Sequence, residues 1–289
     1  MKNIEIFPAS PQVAWGWQIA ANFIMVGAGT GFYLFSVFIM TLEDRPFAMS
    51  GQVPYSLLAP VLAAIGFFAL TMKPGRPLRS IYLFCNLRQA WVSRETLLWG
   101  VFIPVAIIDW FIPGLFLRIL TITVAFALMI SQGAILYQIR AIPGWNVFVM
   151  PIFFISSGLA SGGGVFMLIE GMTRSPLLLS AVVVALIAII VNLAMWLLYL
   201  CRFRSAAFHK ALYKLHRPLN LTITIGIGHL LPIVLLCSFI VWNYYEPERM
   251  FLAEIVCGAA VLLGIIFQKM AIIISASNMR ALVIGALKN

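Results

Sequence analysis

The sequence is poor in charge. Asp, Glu, Lys and Arg make up 10% of its 289 residues, where a soluble domain carries about a quarter. That excludes a water-soluble enzyme, a disordered chain and a nucleic-acid-binding protein. Histidine is scarcer still: His209, His216 and His229. A haem held between membrane helices needs two axial ligands on facing spans. His209 and His216 fall in a loop, so no haem is expected. The four cysteines, Cys85, Cys201, Cys237 and Cys257, have no zinc or iron–sulfur spacing. They read as free thiols, and no iron–sulfur cluster or metal is expected in this chain. Nucleophile-elbow, P-loop and metal-cluster motifs are missing too. Any redox chemistry must therefore come from a mobile cofactor. Residues 1–14 carry Pro8 and Pro11 and do not read as a cleavable signal peptide.

Apolar residues are abundant. They reach 63% of the chain, with a mean hydropathy of +1.03. At roughly 20 residues per span, this leaves room for about eight transmembrane helices. Apolar runs fall at 15–41, 53–72, 92–112, 114–139, 147–172, 177–200, 221–244 and 250–275. Helices are expected because backbone polar groups in lipid must satisfy one another. Trp15, Trp17, Trp91 and Trp145 lie at one set of ends, and Trp110, Trp242, Tyr244 and Tyr245 at the other. This is the pattern of interfacial aromatic belts.

An even number of spans places both termini on one side, here called side A. Fifteen of the 19 basic residues fall on that side with two acidic ones, Glu5 and Glu95. The opposite side B has four basic residues and seven acidic ones. The net charges are +13 and −3, which predicts cytoplasmic N and C termini by the positive-inside rule, in a multi-pass protein of the cytoplasmic membrane.

The chain carries an internal echo. Phe23 begins FIMVGAGTGFYLF in the first span, and Phe154 begins FISSGLASGGGVFML in the fifth. Gly27 and Gly31 are each 131 residues before Gly158 and Gly162. Arg76-Pro77-Leu78 after span two is echoed by Arg217-Pro218-Leu219 after span six. Small residues four apart let helices approach closely. The expected fold is an all-α integral membrane protein with a parallel repeat. Its eight helices would form two four-helix bundles, residues 1–142 and 143–289.

Polar side chains at membrane depth are costly and often functional. Asn22 in span one and Ser131 in span four both lie roughly 10–12 Å below side A. Gln18, Gln132 and Tyr137 are nearby, under a loop carrying Lys73, Arg76, Arg79, Arg88 and Arg94. These residues outline a half-buried polar pocket under a basic rim. Asn22 and Ser131 are equally compatible with tying helices together through backbone carbonyls. In the second half, Asn192, His229, Gln268 and Lys269 stand out. His229 reads as a hydrogen-bonded core histidine, and Lys269 as able to snorkel to side A.

The segment KPGRPLRSIYLFCNLRQAWVSRETLLWG, from Lys73 to Gly100, contains Gly75, Pro77, Arg79, Asn86, Trp91, Ser93, Arg94 and Glu95 in a specific spacing. With IPGWN at Ile142–Asn146 and the Gly-rich first span after Trp17, it resembles the polysulfide reductase membrane-subunit family. The membrane anchor of dimethyl sulfoxide reductase is related to that family. The resemblance covers the first five spans well and the last three by helix count.

The resemblance implies a subunit that exchanges electrons between the menaquinone or ubiquinone pool and a four-cluster ferredoxin-like iron–sulfur subunit. That partner would serve a molybdenum or tungsten pterin catalytic subunit, and the quinone would sit in the first bundle. Asn22 aligns with a quinone-contacting His of the family, Ser131 with a Tyr and Lys73 with a His tied to quinol oxidation, while Arg79 matches. The family's polar residue one turn before the His falls on Ile19, beside Gln18. Asn22 and Ser131 are then expected to hydrogen-bond the headgroup, with Gln18 close by. Lys73 and Arg79 would stabilise negative charge on it, and Glu95 and Lys73 would relay protons. Arg76, Arg88, Arg94 and Arg140 would dock the partner. The other classes open to the sequence are a non-redox membrane anchor for a soluble complex and a secondary transporter.

Overall fold

The computed structural model describes residues 4–7, 10–44, 55–72, 87–174, 178–201, 208, 212–242, 251–280 and 282–284. The elements are β1 (Ile4–Phe7), α1 (Trp17–Leu42), α2 (Tyr55–Thr71), α3 (Trp91–Phe111), α4 (Leu115–Gln138), α5 (Met150–Thr173), α6 (Leu179–Cys201), α7 (Pro218–Val241), α8 (Phe251–Ser275) and β2 (Leu282–Ile284). Seven of these helices are long and apolar enough to cross a membrane. The expected run at 53–72 is the exception. At 17 residues, α2 is about 25 Å long and falls short of the roughly 30 Å hydrocarbon core.

Each helix obeys the rule that lipid imposes on polar groups. Thr30 donates to the Val26 carbonyl at 2.7 Å, Thr96 to Val92 at 2.8 Å and Thr121 to Leu117 at 2.8 Å. Pro60 and Pro104 sit inside α2 and α3, tolerated where neighbouring helices satisfy the freed carbonyls. The outward faces carry Phe38, Phe68, Phe116, Ile187, Val234 and Val241, all exposed. In water such surfaces would be sticky patches; in lipid they match the solvent.

Helix α1 is the axis of the molecule. It packs on α2, α4 and α5, and more lightly on α6 and α8. In the first half, α2 also meets α3, and α3 meets α4. In the second half, α5 meets α6 and α8, and α7 meets both α6 and α8. The two glycine pairs of the internal echo face each other where α1 crosses α5. A Cβ on Gly31 would overlap the Gly158 carbonyl, and one on Gly162 would overlap the Gly31 carbonyl. Only glycine permits this approach.

The first and last described strands lie together. β1 pairs antiparallel with β2, Ile4 opposite Ile284 and Glu5 opposite Val283. Met279 N–H donates to the Ser10 carbonyl at 2.9 Å, and Arg280 N–H to Ala141 at 2.9 Å. The IPGWN turn is a latch beside these strands. The Trp145 indole N–H donates to Ile272 O at 2.7 Å, Tyr199 OH to Gly144 O at 2.8 Å, and Asn146 Nδ2 to Tyr137 O at 2.6 Å. Trp145 is 1% exposed, so it is a buried anchor and not a belt residue. Trp17, 55% exposed, keeps the expected position.

Two helices depart from α geometry. Thr222–Leu230 in α7 and Ala271–Ser275 in α8 are π-helical. Such segments are rare and frequently mark functional sites. No signal in the sequence had separated these spans from ordinary helices.

Candidate functional site

A cavity of about 300 Å³ opens near the N-terminal end of α1. It is lined by Trp15, Ile19, Asn22 and Phe23 around α1, Phe67, Leu70 and Thr71 of α2, Val92 and Glu95 of α3, and Ile135 of α4. Most of this lining is apolar. The polar side chains that face it on α1 and α3 are Asn22 and Glu95.

Their positions follow from helix phase. Asn22 lies one turn before Val26 on the face of α1 that looks into the first half, and it is 3% exposed. Glu95 is four residues past the start of α3 at Trp91, about 6 Å along the helix, and is 6% exposed. Gln132 Nε2 donates to Glu95 Oε1 at 3.4 Å. Asn22 Oδ1 and Gln132 Oε1 are buried without hydrogen-bond partners. Buried polar atoms are almost always paired, so each orphan asks for an explanation.

The expected residues divide into three groups. Asn22 and Glu95 share the cavity. Ser131 does not line it: its hydroxyl donates to the Leu128 carbonyl of its own helix at 2.7 Å. The side chain that α4 sends to the site's acid is the next residue, Gln132. Gln18 is half-buried one turn before Asn22 and lies outside the lining. Arg88 and Arg140 are exposed on side A. Arg94 is committed to its own turn, with Nε on Leu87 O at 2.9 Å and Nη2 on Arg88 O at 2.7 Å. Its guanidinium also sits 4.5 Å over the Trp91 ring. Lys73, Arg76 and Arg79 lie outside the described residues.

Comparison of the chain with models of known protein families and with curated proteins found no match.

Lys269 departs most from expectation. It does not snorkel. It is 0% exposed, its ammonium donates to Phe23 O at 2.8 Å and it sits 5.3 Å over the Phe154 ring. The reason is Gly27, where a Cβ would occupy the position of Nζ. The glycine read as a helix-packing residue thus also makes room for a lysine. The sequence cue is a lone Lys six residues before the end of an apolar run.

A second polar cluster lies inside the other half, with its Ser156 end lining a separate apolar cavity of about 500 Å³. His229 Nε2 lies 2.9 Å from Asn192 Oδ1 and 3.4 Å from Gln268 Nε2, and its Nδ1 faces the Thr224 carbonyl. Asn192 Nδ2 donates to Ser156 Oγ at 3.2 Å. His229 is thus a core histidine held on both sides, as its sequence context suggested. Near side B, Tyr33 donates to Asp109 Oδ2 at 3.1 Å, and Arg118 Nε stands 3.8 Å from the same oxygen. Asp109, Glu170 and Glu254 are 1%, 4% and 3% exposed. These three acids, assigned to side B by sequence position, point inward and add no charge to its surface.

Proposed function

We propose that the chain is the quinone-reactive membrane subunit of a multi-subunit oxidoreductase. It would pass electrons between a menaquinone or ubiquinone pool and an iron–sulfur partner docked on side A. One observation carries this reading. The Asn22 amide, with its unpartnered oxygen, and the buried Glu95 carboxyl face one apolar cavity on the side where the β1–β2 ribbon and the exposed Arg88 and Arg140 lie.

The cavity suits a quinone headgroup on physical grounds. Its apolar walls match a hydrophobic ring, and an orphaned amide is the kind of group that orients a bound ligand in such a pocket. When bound, a quinone supplies the two-electron, two-proton couple that no described residue has. The Asn22 amide would donate through Nδ2 to a headgroup oxygen or accept through Oδ1 from a headgroup hydroxyl. Glu95, held from behind by Gln132, would take or give the proton at its free oxygen. Trp15, Phe67 and Leu70 would keep water away from that exchange. Lys73 and Arg79 would complete the rim on the strength of the resemblance.

The finer architecture belongs to the same proposal: eight spans in two four-helix bundles, residues 1–142 and 143–289, with cytoplasmic termini. Chain ends that meet in one ribbon require an even number of crossings, which supports counting α2 as the eighth span. The pairwise contacts α1–α2–α3–α4–α1 and α5–α6–α7–α8–α5 support two closed rings. The partner complex would comprise a four-cluster ferredoxin-like subunit and a molybdenum or tungsten pterin subunit.

Titration of the purified chain with a short-tailed quinone, read by the part of the tryptophan quenching that Trp15→Phe removes, tests the site. Saturable quenching that disappears in Asn22→Leu is expected. Quenching unchanged by Asn22→Leu overturns the assignment. A second reading, a secondary transporter, is favoured by the π-helical segments beside His229 and Lys269. Co-purification of iron–sulfur absorbance with the chain decides against it.

A further inference from the structure

An ammonium buried without a carboxylate is among the most expensive groups a protein can hold. Lys269 Nζ is in that position: among the described residues it has one carbonyl and one ring face, and no acid within ion-pair distance. Glu95 presents the mirror image, a buried carboxyl whose hydrogen bond comes from a neutral amide.

The two lie on either side of one residue. Gln132 Nε2 points at Glu95 Oε1, and Gln132 Oε1 is orphaned. The space over Gly27 joins that orphan to the lysine. A Cβ built on Gly27 would meet Nζ and would stand 3.8 Å from Gln132 Oε1. An amide placed this way has its acceptor toward the cation and its donor toward the carboxylate. Its dipole is aligned to transmit charge between them in a medium of low dielectric.

We propose that Lys269 is the counter-charge of Glu95, a positioning residue that acts through Gln132 across the open face of Gly27. The eighth helix would then set the charge on the acid of a cavity built from the first four. This deepens the quinone reading, since its consequence for turnover rests on that reading; the charge coupling does not. α1, α2, α4 and α5 bring no other described acid or base to this level. Tyr33, Arg118, Tyr137 and Glu170 lie elsewhere along them. On the far side of Lys269, His229 of α7 touches Gln268, and Arg94, beside Glu95 on α3, is bound to the preceding turn.

The test is infrared spectroscopy of the full chain in lipid, following the carboxyl band that Glu95→Gln removes. In Lys269→Met, which deletes a buried charge while keeping its volume, the pH at which that band titrates is expected to move by about one unit or more. Gln132→Leu, which leaves both charges in place but also removes the amide's own hydrogen bond to Glu95, is expected to move it in the same direction and at least as far. Adding Lys269→Met to Gln132→Leu should move it no further than Gln132→Leu alone. Gly27→Ala, which closes the notch, gives the same readout if Lys269→Met does not accumulate. A band that titrates as in the unaltered chain in Lys269→Met or Gly27→Ala overturns the proposal. Trp15 quenching by quinone separates the two readings. No quenching in the unaltered chain removes the quinone assignment, and the band shift still decides the coupling.

Discussion

Among the described residues, the two halves of the chain hold similar numbers of buried polar side chains and connect them differently. In the first half, Asn22 and Gln132 keep unpartnered oxygens and Glu95 looks into a cavity. In the second, His229 is enclosed by Asn192, Gln268 and the Thr224 carbonyl, and Asn192 passes its remaining donor to Ser156. Both sets keep an unpartnered amide oxygen, Gln268 Oε1 in the second half as Gln132 Oε1 in the first; what differs is that side-chain hydrogen bonds gather the second set around one histidine. An open set with an acid beside a cavity can meet a ligand, while a set closed around one histidine fixes helix positions.

Breaking the crossing that holds the halves together has the largest expected effect. Gly31→Leu would drive a side chain into the Gly158 carbonyl, and overpacking of this kind costs roughly 3 kcal/mol or more. Loss of the folded chain in detergent size-exclusion chromatography is expected. Next comes the open set. Glu95→Gln should lower quinone-coupled turnover on the order of 100-fold with the melting temperature nearly unchanged; a normal rate would remove Glu95 from the mechanism. The closed set should respond the other way. His229→Leu leaves Asn192 Oδ1 and Gln268 Nε2 without their contact to the ring, a loss of about 1–3 kcal/mol in stability. Turnover of the protein that does fold should be unaltered, and a fall in its rate would put His229 on the functional side of the comparison. The smallest effect is expected for Ser131→Ala. It removes a hydroxyl bonded to its own helix, so stability should change by about 0.5 kcal/mol or less, with quinone binding unchanged.

Those contrasts also show what sequence could convey. Run lengths and hydropathy were enough to locate every long apolar helix, because lipid leaves backbone polar groups few alternatives. The glycine echo marked both α1 and α5 as close-packing helices, since glycine is what a carbonyl-to-backbone contact demands, but did not show that they pack on each other. Asn22 could be singled out by its cost at depth, whereas Glu95 counts among the side A charges and enters through the resemblance. The pairing of Asn22 with Ser131 did not form, because equal depth says nothing about rotation around a helix axis. Ser131 faces its own backbone, and Gln132, one residue on, reaches Glu95. Lys269 was misplaced for a related reason. Snorkelling assumes that a lysine's neighbours deny it space, and the notch over Gly27 supplies that space from a helix almost 250 residues away in sequence. Rotation and inter-helix gaps are tertiary quantities, and single-chain periodicity does not encode them.

The short ribbon between β1 and β2 makes the path of the chain nearly a closed loop. The first strand emerges long before its mate, so during synthesis it stays single until the whole membrane domain has been threaded. The surface around it is finished last. A partner that reads that surface would meet a complete binding face only on a fully inserted chain, and truncated products would be passed over without a separate proofreading step.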